Sequence, residues 1–301
     1  MSTVPPDSMT VFDRRIVRLH RERAAAGWDG FDFLMRETAE RLVDRLDDIT
    51  RSFPLALDLG CHGGEIAQAL NGRGGIVTLI QADLSPSMAC RAADHGPVLV
   101  CDEETLPVAP ASLDAVLSNL SLHWVNDLPG ALTQARRALR PDGLFLASLL
   151  GGATLGELRT CLADAEIEIT GGLSPRASPL ADVRDAGDLL ARAGFALPTV
   201  DADVITVSYE SPIRLFQDLR GMGESNAVLT RRKTMSRRDI LFRAAELYME
   251  RHAGPDGRVP ATFEVITMTA WAPDASQPKP LPPGSGRASL AQALTTPDTH
   301  H

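Results

Sequence analysis

Short apolar segments alternate with amphipathic segments along the first half of the chain. The apolar segments predict β-strands at 55–59, 76–80, 98–100, 113–117 and 144–150. Helical spacings of apolar residues predict helices at 64–71, 85–93 and 127–140, the last ending at Pro141 and Gly143. Strands that alternate with helices favour right-handed crossovers and a mostly parallel sheet with both faces covered.

The pattern on either side of this core completes the predicted fold. Residues 10–50, which are rich in arginine, are predicted to be helical. Helices are also predicted at 151–169 and 182–195, and strands at 203–209 and 263–271. We therefore predict an α/β fold: a mostly parallel seven-stranded, Rossmann-like sheet with helices on both faces. The predicted organisation is an N-terminal helical cap at 1–50, a domain at 51–273 with an insertion at about 211–258, and a flexible tail rich in Pro, Gly and Ser at 274–301.

Composition narrows the possible functions. The 301 residues are 44% hydrophobic and 23% charged, and the net charge of −9 argues against a nucleic-acid partner. The four cysteines form no CxxC pair, so we expect a reducing compartment and neither a zinc site nor a disulfide framework. No apolar run has the length of a membrane span, and the first residues lack the apolar core of a secretory signal. We expect a cytoplasmic protein that reaches a membrane, if at all, through a partner.

The segment LALDLGCHGG at 55–64 is the first candidate for chemistry. A buried strand that ends in Asp58 and continues into Gly60 and Gly64 brings its backbone close to whatever lies beyond the strand. Glycine permits both the tight turn and the close approach, because it has no Cβ. A glycine-rich strand-to-helix turn also occurs for packing reasons, so this motif alone does not decide between the two.

Acidic residues at the next two strand ends favour a ligand site. Asp83 follows the second strand, where a carboxylate can accept hydrogen bonds from ribose hydroxyls. Asp83 can also cap the next helix, although Ser85 followed by Pro86 fits that role at least as well. Asp102, beside Glu103, follows the third strand and can reach an exocyclic amine of adenine. Leu84 and Met88 can form apolar walls, and Met88 can equally be a core residue.

These motifs resemble those of class I S-adenosylmethionine-dependent methyltransferases. The resemblance rests on LDLGCHGG, QADLS and DEETLP, with His62 where the family usually has its second glycine. It implies that the cofactor is S-adenosyl-L-methionine, with S-adenosyl-L-homocysteine as product. It also implies that Gly60 and Gly64 approach the methionine end, that Asp83 holds the ribose and that Asp102 faces the adenine, with Asp58 and Glu103 as further cofactor-binding residues.

A narrower resemblance covers residues 10 to about 273. The strings SNLSLHWVNDLPGAL, FLASLLGGATLGELR, GGLSPRASPL, LRGMGESNA and DGRVPATFEV are similar, in the same order, to the family of the mitochondrial complex I assembly factor described as an arginine hydroxylase. This resemblance implies an enzyme that modifies a protein side chain, such as an arginine of a complex I subunit, in the mitochondrial matrix if the protein is eukaryotic. Two alternatives remain open. One is an O-methyltransferase acting on a carrier-protein-bound or small acid, which a more distant likeness to malonyl-carrier-protein methyltransferases suggests. The other is a non-catalytic assembly chaperone that retains the cofactor fold.

Candidate catalytic groups follow the fourth strand. His123 can act as a general base or can merely pack beside Trp124, and Asn119 is a candidate for both catalysis and cofactor binding. Residues 219–239 predict either a lid over a substrate, with hinges at Gly221 and Gly223 and polar contacts from Glu224 and Asn226, or a helix-to-helix turn. We find no convincing ligand set for iron, so hydroxylation rests on the resemblance alone.

Overall fold

A computed structural model describes residues 10–180, 182–234 and 237–278, and within these residues the chain forms seven β-strands and nine α-helices. The strands are β1 Leu55–Leu59, β2 Thr78–Asp83, β3 Val98–Val100, β4 Leu113–Asn119, β5 Leu139–Leu150, β6 Ala196–Tyr209 and β7 Val259–Trp271. The helices are α1 Arg14–Ala25, α2 Phe33–Asp44, α3 Glu65–Leu70, α4 Pro86–Ala92, α5 Leu128–Ala138, α6 Gly156–Thr170, α7 Val183–Arg192, α8 Pro212–Gly221 and α9 Arg238–His252.

All seven strands belong to one sheet, in the order β3-β2-β1-β4-β5-β7-β6. The first five pair in parallel, whereas β7 is antiparallel to both β5 and β6. The order reverses between β1 and β4, and ligands of open α/β sheets bind beyond the carboxyl ends of strands at such a reversal. The fold confirms the predicted α/β class and places the glycine loop at the reversal.

Helix starts follow local rules. Ser85 accepts a hydrogen bond from Met88 N at the start of α4, where Pro86 takes the first helical position, as the sequence predicted. Asp127 caps α5 and Ser211 caps α8 in the same manner.

Several boundaries differ from the predictions. The second strand extends to Asp83 and pairs there with Val100, so that Asp83 is a strand residue. The fifth strand begins at Leu139, because α5 ends at Ala138, before the Pro141 that was predicted to end it. The sixth strand runs from 196 rather than 203, since its long antiparallel pairing with β7 extends a mostly solvent-exposed edge whose residues carry no continuous apolar pattern.

The N-terminal helices pack on the domain. α2 contacts α3 and the sheet, and α1 contacts α4 and α8 over the carboxyl edge of the strands. At the other end of the chain Gln277 donates to Asp142 Oδ1 at 2.9 Å, so residues up to 278 lie against the domain. The rest of the predicted tail, 279–301, and the first nine residues of the predicted cap lie outside the described residues.

Candidate active site at the carboxyl edge of the sheet

Gly60 lies where the sequence predicted a close approach. It has a φ of +81°, and a Cβ built on it would lie 2.0 Å from Ser121 Oγ. Its amide donates to Ala82 O at 2.7 Å, which ties the turn to β2. Gly64 also has a positive φ, of +92°, and precedes the first residue of α3. Both positions therefore require glycine, because neighbouring side chains occupy the space of a Cβ and the whole turn from 60 to 64 is buried.

His62 is a packing residue within this loop. Its φ is +48°, its ring stacks on Trp28 with centroids 5.6 Å apart, and its Nε2 lies 3.2 Å from Leu120 O. Burial, with a smaller contribution from Arg21, lowers the pKa of the imidazole. An uncharged His62 thus joins the loop to the residues between α1 and α2.

Asp58 is a buried carboxyl group whose oxygens are free to bind a ligand. It is fully buried, and among the described residues neither carboxylate oxygen has a hydrogen-bond partner. Burial, followed by the nearby charges of Glu65 and Asp83, raises its pKa well above the usual range. A buried polar group without a partner is unfavourable, and a bound ligand that donates a hydrogen bond relieves the cost.

The predicted ribose carboxylate is paired with an arginine of α1. Asp83 Oδ2 accepts from Arg21 Nη1 at 3.2 Å and from the His62 amide at 3.2 Å, while Oδ1 accepts from Ser85 N at 2.7 Å. The Arg21 side chain is only 3% exposed. The sequence predicted Asp83 at this edge but did not predict its cationic partner.

The same arginine also binds the neighbouring strand end. Arg21 Nη1 donates to Glu103 Oε1 at 2.8 Å, and Arg21 Nη2 donates to Ser121 Oγ at 2.8 Å. Ser121 Oγ in turn donates to Glu103 at 2.7 Å. Burial acting alone would raise the pKa of Glu103, but the charges of Arg21 and Arg14 outweigh it and hold that pKa far below the usual range. Glu103 is therefore an ionised group in the protein interior.

Arg14 covers the predicted adenine carboxylate. It donates to Asp102 Oδ1 at 2.7 Å, to Glu103, and to Trp124 O at 3.1 Å. Leu84, predicted as a wall of the adenine site, is partly buried against the cluster of Phe12, Val17, Trp124, Ala227 and Val228. Met88 is fully buried in the core beside α1 and α2.

The carboxyl edge therefore contains the groups that a nucleoside cofactor needs, together with two guanidinium groups bound to them. The buried, unbonded Asp58 fits a hydrogen-bond donor such as the amino group of S-adenosylmethionine, and Asp83 and Asp102 lie at successive strand ends as predicted. In this structure Arg21 and Arg14 fill the space beside those two carboxylates. Adenosine can lie along this edge only if α1 withdraws them.

Asn119 is engaged on both sides of its amide. Its Nδ2 donates to Met35 O at 2.8 Å, and its Oδ1 accepts from Ser148 Oγ at 2.8 Å. These bonds join α2, β4 and β5. A catalytic or cofactor-binding role for Asn119 stays a prediction, for which this geometry offers no free polar atom.

His123, Trp124 and Glu224 form a second polar cluster. His123 Nε2 lies 3.2 Å from Glu224 Oε2, and Trp124 Nε1 lies 3.1 Å from each Glu224 oxygen. Burial opposes ionisation of Glu224, but His123 and Trp124 outweigh it and lower the pKa of the carboxyl group. His123 thus contacts Trp124, as its packing alternative proposed, and also bonds a buried carboxylate, which the sequence did not indicate.

A pocket of about 120 Å³ opens beside this cluster. His123 and Glu224 line it together with two cations, Arg159 and Arg176, and the remaining wall is mostly apolar, with Leu150, Leu155, Leu158, Leu162 and Phe263 among its residues. An apolar wall with a carboxylate at one side suits the aliphatic stem and charged end of a basic side chain.

The predicted lid is a packed turn. A Cβ on Gly221 would lie 2.3 Å from the Phe31 ring, so this glycine permits close packing at the end of α8. Gly223 has a φ of +78° and reverses the chain, after which Glu224 N donates to Leu219 O. Asn226 Nδ2 donates to Pro175 O at 2.8 Å, which fixes the turn to the loop at the pocket mouth. The turn places Glu224 in the site, and hinge motion stays a prediction.

Arg21 and Arg14 are the site residues that sequence reasoning missed. One signal could have found Arg21: it lies in the buried stripe of α1 with Val17, Ala24 and Ala25. An arginine on the apolar side of an amphipathic helix requires a buried acidic partner.

The described residues also bear on metal binding and on membrane insertion. Across 10–180, 182–234 and 237–278, no group of three or more His, Cys, Asp or Glu side chains is arranged to hold a metal ion. In the same ranges none of the helices has the length and apolarity needed to cross a membrane.

Known proteins match both the fold and the sequence. Residues 57–147 match the family model described as a methyltransferase domain. A crystal structure described as a methyltransferase of Bacillus halodurans matches with a TM-score of 0.54 at 17% identity, over 77% of this chain and 99% of that one. Phosphoethanolamine N-methyltransferase 2 of Haemonchus contortus, solved with S-adenosylhomocysteine, matches with a TM-score of 0.53 at 15% identity, over 86% of this chain and 60% of that one. Fold, site and family model together define an enzyme of the class I methyltransferase fold.

Sequence relatives specify the family. The zebrafish (Danio rerio) protein "Arginine-hydroxylase NDUFAF5, mitochondrial" is 43% identical over 94% of this chain and 89% of its own length. The human protein of the same name is 44% identical over 95% of this chain and 84% of its own length. The chain belongs to the NDUFAF5 arginine-hydroxylase family, which confirms the resemblance seen in the sequence. A malonyl-[acyl-carrier protein] O-methyltransferase of Methylovorus is 34% identical over 88% of this chain and 91% of its own length.

Proposed function

We propose that this enzyme binds S-adenosylmethionine at the carboxyl edge of the sheet and modifies an arginine side chain of a protein. The observation that carries the proposal is the buried Asp58, whose carboxylate oxygens have no hydrogen-bond partner among the described residues. It lies two residues before Gly60, at the strand reversal where cofactors bind. The name of the relatives, arginine hydroxylase, supports arginine as the modified residue.

The cofactor would be held by groups at successive strand ends. Asp58, Gly60 and Gly64 would face its methionine end, Asp83 would accept hydrogen bonds from the ribose, and Asp102 would lie at the adenine amine. When bound, S-adenosylmethionine supplies a methyl group activated by its sulfonium, and S-adenosylhomocysteine is the product of its transfer. The protein's own part is to hold the acceptor in line and to keep water out.

Cofactor binding in this proposal requires α1 to move. Arg21 and the ribose hydroxyls compete for Asp83, because both donate hydrogen bonds to the same carboxylate. The buried ion pairs of Arg21 and Arg14 therefore keep this edge closed, and the cofactor binds the fraction of molecules in which α1 is displaced.

The substrate arginine would enter the pocket beside Glu224. This carboxylate is ionised and buried, so it can receive a guanidinium through paired hydrogen bonds in place of the Trp124 and His123 contacts. Leu155 and Leu158 would contact the aliphatic stem. A role for His123 as a proton acceptor remains part of the proposal: its Nε2 would donate to the ionised Glu224, which leaves Nδ1, without a hydrogen-bond partner among the described residues, as the accepting atom.

The resemblance to the complex I assembly family supports a complex I subunit as the protein substrate. The reaction would take place in the bacterial cytoplasm or the mitochondrial matrix, with membrane contact made through the partner. Free cysteines at Cys61, Cys90, Cys101 and Cys161 are compatible with a reducing compartment.

Mass spectrometry of complex I subunits tests this function. Subunits from a deletion strain would be compared with those from strains restored with the wild type, with Glu224→Gln, or with Glu210→Gln, whose carboxylate is exposed. We expect an arginine that gains either a methylene or an oxygen with the wild type and Glu210→Gln, but not with Glu224→Gln. Subunit masses that do not differ between the deletion and wild-type strains would refute side-chain modification of complex I.

A second candidate, an O-methyltransferase acting on an acid carried by a protein, is favoured by the name of the Methylovorus relative and by the two arginines, Arg159 and Arg176, that line the pocket. Incubation of the purified enzyme with S-adenosylmethionine and a malonyl-loaded carrier protein tests it. Ester formation on the carrier would establish this activity, and an unmodified carrier would exclude that substrate.

A further inference from the structure

A basic cleft lies next to the mouth of the Glu224 pocket. It has a volume of about 320 Å³ and is lined by Ser174, Pro175, Arg176, Asn226, Arg231, Arg232, Thr234 and Arg237. Its lining is mainly polar, unlike that of the Glu224 pocket. The cleft is formed by the loop after α6 and by the segment between α8 and α9, two stretches far apart in sequence.

Some cations around this cleft have internal partners and others do not. Arg176 pairs with Glu166 at 2.9 Å, Arg231 lies 3.5 Å from Asp13, and Arg237 pairs with Asp239.

Arg232 lines the cleft, and Lys233 and Arg238 are the chain neighbours of the lining residues Arg232 and Arg237. All three are exposed, and within residues 10–180, 182–234 and 237–278 none of them has a carboxylate within ion-pair distance. The whole chain carries a net charge of −9, so a group of cations here produces a local field opposite to that of the molecule. Exposed cations without partners attract acidic groups of a binding partner and repel basic ones.

The cleft is continuous with the pocket. Arg176 and Asn226 line both. The bond from Asn226 Nδ2 to Pro175 O holds the two walls together at their junction. A polypeptide that places one side chain beside Glu224 therefore passes over the basic cleft with its neighbouring residues.

We propose that the basic cleft binds an acidic segment of the substrate protein, adjacent in sequence to the arginine that enters the Glu224 pocket. This inference rests on the proposed function and adds a substrate rule: a basic target residue with acidic neighbours. Glu224 recognises the guanidinium, and the exposed cations of the cleft recognise the acidic flank.

Peptide binding tests the inference separately from catalysis. Two short fluorescent peptides would each carry one arginine, flanked by glutamates in the first and by glutamines in the second. Their anisotropy would be measured with the wild-type protein at low and at high salt. The cleft variant is Arg232→Glu/Lys233→Glu/Arg238→Glu. The matched control, Arg137→Glu/Arg184→Glu/Arg192→Glu, changes the net charge equally on α5 and α7, where these three arginines are also exposed.

We expect the wild type and the control variant to bind the glutamate peptide about tenfold more tightly than the glutamine peptide, since several exposed charge pairs together give an effect of that size. The preference should disappear in the cleft variant and weaken with salt. Equal binding of both peptides by the wild type, or an unchanged preference in the cleft variant, would overturn the proposal. Preferential binding of the cleft to anionic lipid vesicles would overturn it as well.

Failure of the proposed function would give a different result. A peptide whose arginine is replaced by alanine should keep its glutamate preference, because docking in the cleft does not need the target residue. If the protein retains that preference but leaves subunit masses unchanged, the docking surface stands and the proposed modification fails. If the subunit masses change but the glutamate preference is absent, the proposed modification stands and the docking surface fails.

Discussion

Replacing Arg21 by methionine tests whether α1 closes the cofactor site. Methionine keeps an unbranched apolar stem and removes the guanidinium that bonds Asp83, Glu103 and Ser121. Removing one partner of a buried ion pair costs about 3–5 kcal/mol, because the remaining carboxylates lose their counter-ion. We therefore expect the free energy of unfolding without ligand to fall by about that amount.

The same substitution should strengthen cofactor binding. In the wild type the ribose must displace the bond between Arg21 and Asp83, and a hydrogen bond to a charged group contributes about 1.5–3 kcal/mol. Because about 1.4 kcal/mol corresponds to a factor of ten, the variant should bind S-adenosylmethionine roughly 10- to 100-fold more tightly. Stability and affinity would thus change in opposite directions.

Urea unfolding and isothermal titration calorimetry measure the two quantities. Arg18→Met is the control, since Arg18 lies on the same helix with a side chain 49% exposed and pairs only with Glu22 among the described residues. Arg21→Lys retains a cation and serves if the methionine variant does not fold. Weaker cofactor binding by a folded Arg21→Met variant would refute the competition and would make Arg21 a cofactor contact.

Three further predictions concern the edge itself. Asp83→Ala should weaken S-adenosylmethionine binding by about 1.5–3 kcal/mol in a calorimetric titration, and unchanged affinity would mean that the ribose is held elsewhere. Gly60→Ala should lower the free energy of unfolding by about 1–2 kcal/mol through its φ of +81° and by about 1–3 kcal/mol more through overlap with Ser121. Gly72→Ala is the control, since Gly72 has a φ of +83° but no atom within 4 Å of the added Cβ, and it should show only the first cost. Equal losses in the two variants would contradict the overlap. Burial raises the pKa of Glu65 from 4.5 to about 7, so the folded protein holds this proton more tightly than the unfolded chain. The free energy of unfolding should therefore fall by about 3 kcal/mol at most as the pH rises from about 4.5 through 7. Thermal unfolding of Glu65→Gln should depend less on pH in that range, and an unaltered pH profile would refute the assignment.

Local sequence rules predicted the main elements of the fold. The alternation of apolar segments and helical spacings identified all seven strands and their class. Ser85 with Pro86 marked the start of α4, and Gly60 marked a turn that admits no side chain. Boundaries were less accurate where pairing decides them, as at the start of β6, since an edge strand exposed to solvent carries a weak hydrophobic pattern.

The site was only partly predictable. The sequence placed Asp58, Asp83 and Asp102 at strand ends, because parallel strands bring their carboxyl ends to one edge. It could not show that Asp58 is unbonded, or that Glu224 bonds His123, a residue 101 positions away. Such pairs depend on how helices and loops pack over the sheet.

The amino-acid sequence by itself determined the parallel core, the glycine turn and the row of carboxylates, since each follows from periodicity and backbone freedom within a few residues. Only the tertiary structure decided that Arg21 neutralises Asp83 and Glu103, which lie 62 and 82 positions further along the chain. The physical reason is that a buried charge needs a partner nearby in space, and the packing of α1 across the strand ends selects that partner.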